Sequence, residues 1–380
     1  AARQTLLGSA TPAAIPQLAA QLAQVETFDN ACFLLEALRL PAADAALRAA
    51  LATTSGREQA GLFGALARRG DAAAEAQAIA HLAKPEPVRS AALTYLGRIA
   101  TPGALAALEA SPLDSATADA TLAAAETLAA RKALAQASGL YTRLYRSTLP
   151  DHLRLAAFCG LIQTDGDNAA ALLPEGLNNA SPAWRGTAAR LTAQLPDKVL
   201  KKQGEKLMRS LSSEGRLALV SALVHAKKRA GAPLVRAAMA NEADTTARLA
   251  AIAGIGDLGD ADDAPALIAL LGHAEPALAD AARMSLIKLP DSATDVRLVK
   301  ALAKRPANAE ALTRLLGIIT FRKSEKAAAK LVPYLADAAP AVRTAAFQAL
   351  TELATEKQVP ELFAAVCKAT DDREKRAAEK

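Results

Sequence analysis

The chain has 380 residues, 52% hydrophobic but only 3% aromatic, with a formal net charge of +6 at pH 7. A chain of this length exceeds a typical single core, and one rich in alanine and poor in large side chains cannot fill a wide core, which leaves several globules or one stacked array. The charge permits acidic partners without requiring them, and the longest uncharged stretch, Gln4 to Val25, carries Pro12 and Pro16 and so fails as a membrane span or a signal-peptide apolar region.

Read in chain order, one segment recurs. Glu86-Pro87-Val88-Arg89-Ser90-Ala91-Ala92 returns as Pro340-Ala341-Val342-Arg343-Thr344-Ala345-Ala346. Anchoring on that arginine gives Thr27, Glu58, Arg89, Asp119, Arg154, Arg185, Arg216, Arg248, Ala279, Glu310 and Arg343, most of them 31 residues apart. Small pairs follow two and three residues later (Ala91-Ala92, Ala156-Ala157, Ala250-Ala251, Ala281-Ala282, Ala345-Ala346). Leu34, Leu96, Leu161, Leu223, Ile255, Leu286 and Leu350 lie seven residues later, completing an apolar stripe on a helix termed B.

Helix-starting residues come next: Asp71, Thr101-Pro102, Asp167, Asp197, Asp260 and Asp291. Each is expected to cap a second helix, A, with its own apolar residues: Ile79 and Leu82, Leu234 and Val235, Leu267 to Leu271, Leu331 to Leu335. No stretch alternates with period two, so no sheet is expected. Cys32, Cys159 and Cys367 are too scattered for a disulfide framework and are expected to be buried as small hydrophobes.

Helix pairs of about 31 residues carrying Pro-x-Val-Arg-x-Ala-Ala in the second helix resemble HEAT repeats, in particular the short class of phycobilin lyase subunits. The resemblance covers essentially the whole chain and is clearest at 71–102, 232–294 and 326–358. It implies an all-α, right-handed superhelix of about 11–12 hairpins, one solenoid domain over 1–380, with A helices convex and B helices lining a concave groove. It also implies that the anchor arginines pair with acidic groups of adjacent turns. The last repeat, 359–380, is expected to be truncated. Because secreted bacterial proteins join such arrays to carbohydrate-active or haem domains, the resemblance allows an accessory module of a larger enzyme as an alternative.

Motifs that would carry chemistry dissolve on inspection. Gly254-Ile255-Gly256-Asp257-Leu258-Gly259 spells a dinucleotide-binding fingerprint but ends a helix instead of following a strand, so its glycines are read as packing and helix termination. Asp257, Asp260, Asp262 and Asp263 lack EF-hand spacing, as does Asp165-Gly166-Asp167-Asn168, and both groups are read as capping. His81, His152, His225 and His273 form no metal-binding pair with glutamate, and Ser285-Leu286-Ile287-Lys288 lacks the partner motifs of a serine–lysine enzyme. The reading is therefore non-catalytic, with no cofactor or metal.

Nine residues beyond the anchor runs a polar column. Arg98, Gln163, Gln194, His225, Asp257, Lys288 and Glu352, with Tyr95 beside Arg98, are the candidate partner-binding residues. Its mixed signs point to a protein or peptide held by a monomer, and away from nucleic acid, which calls for one continuous positive field with aromatic platforms. The basic runs Lys198 to Arg209, Lys227-Lys228-Arg229 and Arg297 to Lys330 are expected on a solvated outer surface, through which nucleic-acid binding stands as a further alternative function. Trp184, the sole tryptophan, makes a base-handling pocket a poor fit.

Overall fold

The recurring apolar stripe and small pair make a helix that must be covered on three sides, and the chain provides the covers locally. A computed structural model describes residues 12–368, apart from 165–170, 242 and 307 and the side chains of Gln203 and Asp291; every regular element in it is helical. By internal contacts the chain forms two compact units, Ala1–Ala171 and Leu172–Lys380.

In the first unit the A and B helices alternate as α1 (Ile15–Gln21) and α2 (Val25–Ala37), α3 (Pro41–Ala50) and α4 (Gly56–Arg69), α5 (Glu75–Ala80) and α6 (Val88–Ile99), α7 (Pro102–Ala110) and α8 (Ser115–Ala130), α9 (Leu134–Tyr145) and α10 (Asp151–Thr164). The second holds α11 (Leu173–Leu177) and α12 (Pro182–Gln194), α13 (Asp197–Ser210) and α14 (Ser213–His225), α15 (Ala232–Met239) and α16 (Thr245–Leu258), α17 (Ala264–Leu270) and α18 (Pro276–Lys288), α19 (Asp291–Lys304) and α20 (Ala309–Phe321), α21 (Ala328–Leu331) and α22 (Pro340–Leu353), then α23 (Val359–Lys368). Within each unit every B helix packs on the next B helix, making a continuous layer, and the A helices form a second layer against it. The all-α stack of helical hairpins read from the sequence is the observed architecture.

Burial follows the repeat. The second small residue of each pair, Ala92, Ala157, Ala188, Ala251, Ala282 and Ala346, is fully buried, as are Leu96, Leu223, Ile255, Leu286 and Leu350. Small residues let B helices approach closely. The limit is reached at Gly97, where a Cβ would stand 2.3 Å from the Ala120 carbonyl oxygen on α8, and at Gly256, where it would stand 2.9 Å from Ser285 Cα on α18. Gly254 and Gly256 of the fingerprint-like segment are thus sites of close helix contact, and Gly259 caps the end of α16.

Several local expectations change. Asp71, Thr101 and Asp260 cap helix starts as read, Asp260 in a capping box with Asp263. Asp197 is instead the first helical residue of α13, and its carboxylate pairs with Lys228 at 2.7 Å. Asp165 to Asn168 lie outside the described residues, as does most of the stretch on which the truncated last repeat was read. Ile79 is exposed because α5 ends at Ala80 in a 3-10 turn, and Ala74 and Ala78 make the buried contact in its place. Cys32 is buried, and its surroundings push the thiol up to about 11, chiefly by desolvation. Cys367 is exposed, in line with Phe363 and Val359 on a face of α23 that no described element covers.

Candidate partner-binding face

The anchor arginines position the B helices. Arg154, Arg185, Arg216, Arg248 and Arg343 donate to carbonyls at the A-to-B turn of their own hairpin: Tyr145, Asn179 and Ala180, Leu211, Met239, and Asp337 and Ala338 respectively. Pairing with an acidic group of the next hairpin, the expected role, is met at Arg89 with Asp114 (2.8 Å) and at Arg216 with Asp244 (2.7 Å). These five arginines are structural and hold their own turns shut.

A second arginine set, unmarked by the repeat, works between hairpins. Arg69 donates to the carbonyls of Leu35, Glu36, Leu38 and Leu40 and pairs with Asp44. Arg131 reaches Ile99, and Arg322 reaches Leu286, Ile287 and Leu289 as well as Asp295. Each guanidinium satisfies the open C-terminal carbonyls of the preceding B helix and opposes the negative end of its dipole. These ties join neighbouring B helices along the edge of the layer.

With neighbours on two sides and an A helix behind, each B helix leaves a narrow stripe uncovered. In the second unit the ninth and thirteenth residues of the B helices form two rows. The first is Arg190, Ser221, Ala253, Met284, Gly317 and Gln348; the second is Gln194, His225, Asp257, Lys288, Phe321 and Glu352. All twelve are exposed. Five of the eight candidate residues therefore share one row of this face, while Arg98 and Gln163 are exposed on B helices of the first unit.

Tyr95 does not join them. It is fully buried, packed against Phe63 with the rings tilted (5.9 Å between ring centroids), and its hydroxyl donates to the Asp71 carbonyl, so it belongs to the core of the first unit and is closed to a partner. Phe321 is the residue that sequence reading missed. Two extra residues before α20 shift its register, so the ninth residue beyond Glu310, Ile319, is buried and Phe321 is 68% exposed in its place. Counting from the helix start, and not from the anchor, would have found it.

Between α14 and α16 the face deepens into a cleft of about 370 Å3 lined by Ser221, His225, Ala253, Asp257 and Lys288, over Val224 and Gly254. Gly254 makes the depth: a Cβ there would stand 2.5 Å from Val224 Cγ2. The Asp257 carboxylate is held by Lys288 Nζ at 3.3 Å, so the serine, histidine and aspartate of this cleft are not wired as a nucleophile, base and orienting acid. Charges on this row thus answer one another across hairpins, as Arg68 and Glu36 do bidentately at 2.6 and 2.7 Å in the first unit.

The other acidic groups are similarly occupied: Asp263 and Asp260 bind Arg236, and Asp262 binds Arg297. Among the described residues no three histidine, cysteine, aspartate or glutamate side chains gather where they could share a metal ion. Trp184 is buried at 3% exposure. The lysines of α13, at 198, 201, 202 and 206, are exposed on the A layer. No helix among the described residues is long and apolar enough to cross a membrane.

No family model matches the chain, and no curated protein matches it. Solved structures to which it is similar include the karyopherin Kap121p bound to the extreme C-terminus of the phosphatase Cdc14p (13% identity, 95% of this chain and 48% of that one, TM-score 0.49). Others are importin beta (13%, 96% and 61%, TM-score 0.39) and a tubulin-recruiting TOG domain array (13%, 99% and 95%, TM-score 0.23). The chain spans about half the length of the karyopherin. At these TM-scores the likeness carries no functional weight, and the fold rests on the helical hairpins themselves.

Proposed function

We propose that this protein is a non-catalytic binding scaffold and that the exposed B-helix face of the second unit, as the concave side of a solenoid, docks a protein or peptide segment. One observation carries the reading: successive B helices present the row Gln194, His225, Asp257, Lys288, Phe321 and Glu352, with two large apolar side chains exposed on neighbouring helices, Phe321 (68% exposed), one turn beyond Gly317 on α20, and Met284 (45%) on α18. Aromatic and methionine side chains set in a polar surround are the usual energetic centres of protein interfaces. Packed helices lie about 8–10 Å apart, and an extended segment advances about 3.3 Å per residue. Every third residue of a bound segment would therefore meet the next helix.

The test is site-specific photo-crosslinking in native lysate, with benzoylphenylalanine at Phe321 and, as control, at Lys202 on the A layer. A discrete adduct from position 321 that disappears with Met284→Asp is the expected result. Equal labelling from position 202, or an adduct indifferent to Met284→Asp, would remove the B face as the docking surface.

A further inference from the structure

A second concavity lies on the A-layer side of the second unit. The first half of α19 faces the turn that leads from α20 into α21, and between them opens a cleft of about 420 Å3, within the range of roughly 300–1,000 Å3 typical of small-molecule sites. Ser292, Val296 and Val299 form one wall and Lys323, Ser324, Glu325 and Lys326 the other. Val296 is 57% exposed, an apolar side chain left facing water on an otherwise polar stretch of helix.

The two walls are tied to each other by hydrogen bonds. Asp295 accepts from Arg322 Nε at 2.7 Å and from Ser324 Oγ at 2.8 Å, and Ser324 is itself only 6% exposed. Its charge is thus answered within the wall and does not repel an incoming anion. Lys323 and Lys326, by contrast, stand exposed with no ion-pair partner among the described residues. Lys300, one turn beyond Val296 on α19, is exposed as well. Glu325 is the one lining carboxylate without an ion-pair partner among the described residues, so the mouth sets two ammonium groups against one carboxylate beside an aliphatic wall.

We infer that this cleft binds an aliphatic carboxylate, its chain against Val296 and Val299 and its carboxylate between the Lys323 and Lys326 ammonium groups. Such a group comes either as a free short-chain or medium-chain acid or as the C-terminal aliphatic residue of a polypeptide. The site stands on the opposite layer from the B face and does not depend on the docking role of that face.

Methyl NMR on the valine-labelled full chain tests it. Sodium octanoate and the peptide acetyl-Gly-Gly-Leu with a free carboxylate are titrated separately, against octanol and the amidated peptide. Saturable shifts of the Val296 and Val299 methyls with at least one carboxylate, and not with its neutral counterpart, are expected. Lys323→Glu with Lys326→Glu, both at exposed positions, should weaken that binding about tenfold or more, the equivalent of about 1.4 kcal/mol. The stronger of the two carboxylates identifies the source. Non-saturating shifts, equal response to octanol, or affinity unchanged by the double charge reversal would overturn the assignment.

Discussion

Replacing Arg322 by methionine tests whether the second arginine set couples neighbouring hairpins. The guanidinium, 10% exposed, serves two receivers: Nη1 is shared by the carbonyls of Leu286, Ile287 and Leu289, the nearest at 2.6 Å, and Nε bonds Asp295 at 2.7 Å. Methionine keeps much of the aliphatic stem but returns none of these bonds, leaving a partly buried carboxylate and an uncapped helix end. A charged hydrogen bond is worth about 1.5–3 kcal/mol net, and the three carbonyls count as one receiver because they share one donor, so the loss should be about 3 kcal/mol. With an m-value of roughly 2–3 kcal/mol/M this lowers the urea midpoint of the second unit by about 1 M. Hydrogen exchange should rise in the last turn of α18 and along α20 before it rises elsewhere, since in a stack each hairpin is stabilised through its neighbours. Lysine at the same site should recover less than half, because a point charge cannot fork to both receivers. Arg297→Met, which breaks only an exposed pair with Asp262, should cost less than about 1 kcal/mol. A loss at Arg322 no larger than at Arg297 would refute the coupling role.

Further outcomes follow from the packing of the first unit. Gly97→Ala forces a Cβ to 2.3 Å from a backbone oxygen that cannot swing away, so the first unit should lose about 2 kcal/mol or more although alanine is the better helix former; a stabilised variant in thermal unfolding would contradict the close approach. Tyr95→Phe removes one buried hydrogen bond and should cost about 1 kcal/mol at neutral pH while leaving the position-321 crosslink intact. Burial, with Asp71 adding to it, raises the Tyr95 hydroxyl above its ordinary range. Its stabilisation is then complete below the pKa of the unfolded tyrosine, about 10, and is lost as pH rises from there through the higher folded value. Alkaline unfolding should therefore be shallower in Tyr95→Phe, and identical alkaline profiles would count against the burial.

The amino-acid sequence by itself determined the helices, their pairing and, wherever the 31-residue spacing holds, which face of the B helix is buried. In a stack every partner lies about one repeat away, so the pattern at Arg89-Ser90-Ala91-Ala92 carries the contacts of the next hairpin within it. Caps at Asp71, Thr101 and Asp260 were readable because a cap is a bond within two or three residues, and the exposed column from Gln194 to Lys288 was readable because it is the complement of the buried stripe. Tertiary structure decided what depends on the exact angle and register at which helices meet. Tyr95 occupies an apolar position whose burial required knowing that Phe63 and the Asp71 carbonyl lie beside it. Phe321 reached the surface through two residues inserted before α20, a shift of about 200° around a helix that turns 100° per residue. Arg69, Arg131 and Arg322 look like ordinary charges at helix ends, and only the carbonyls that the neighbouring hairpin brings to them, some 30 residues upstream, turn them into ties between repeats.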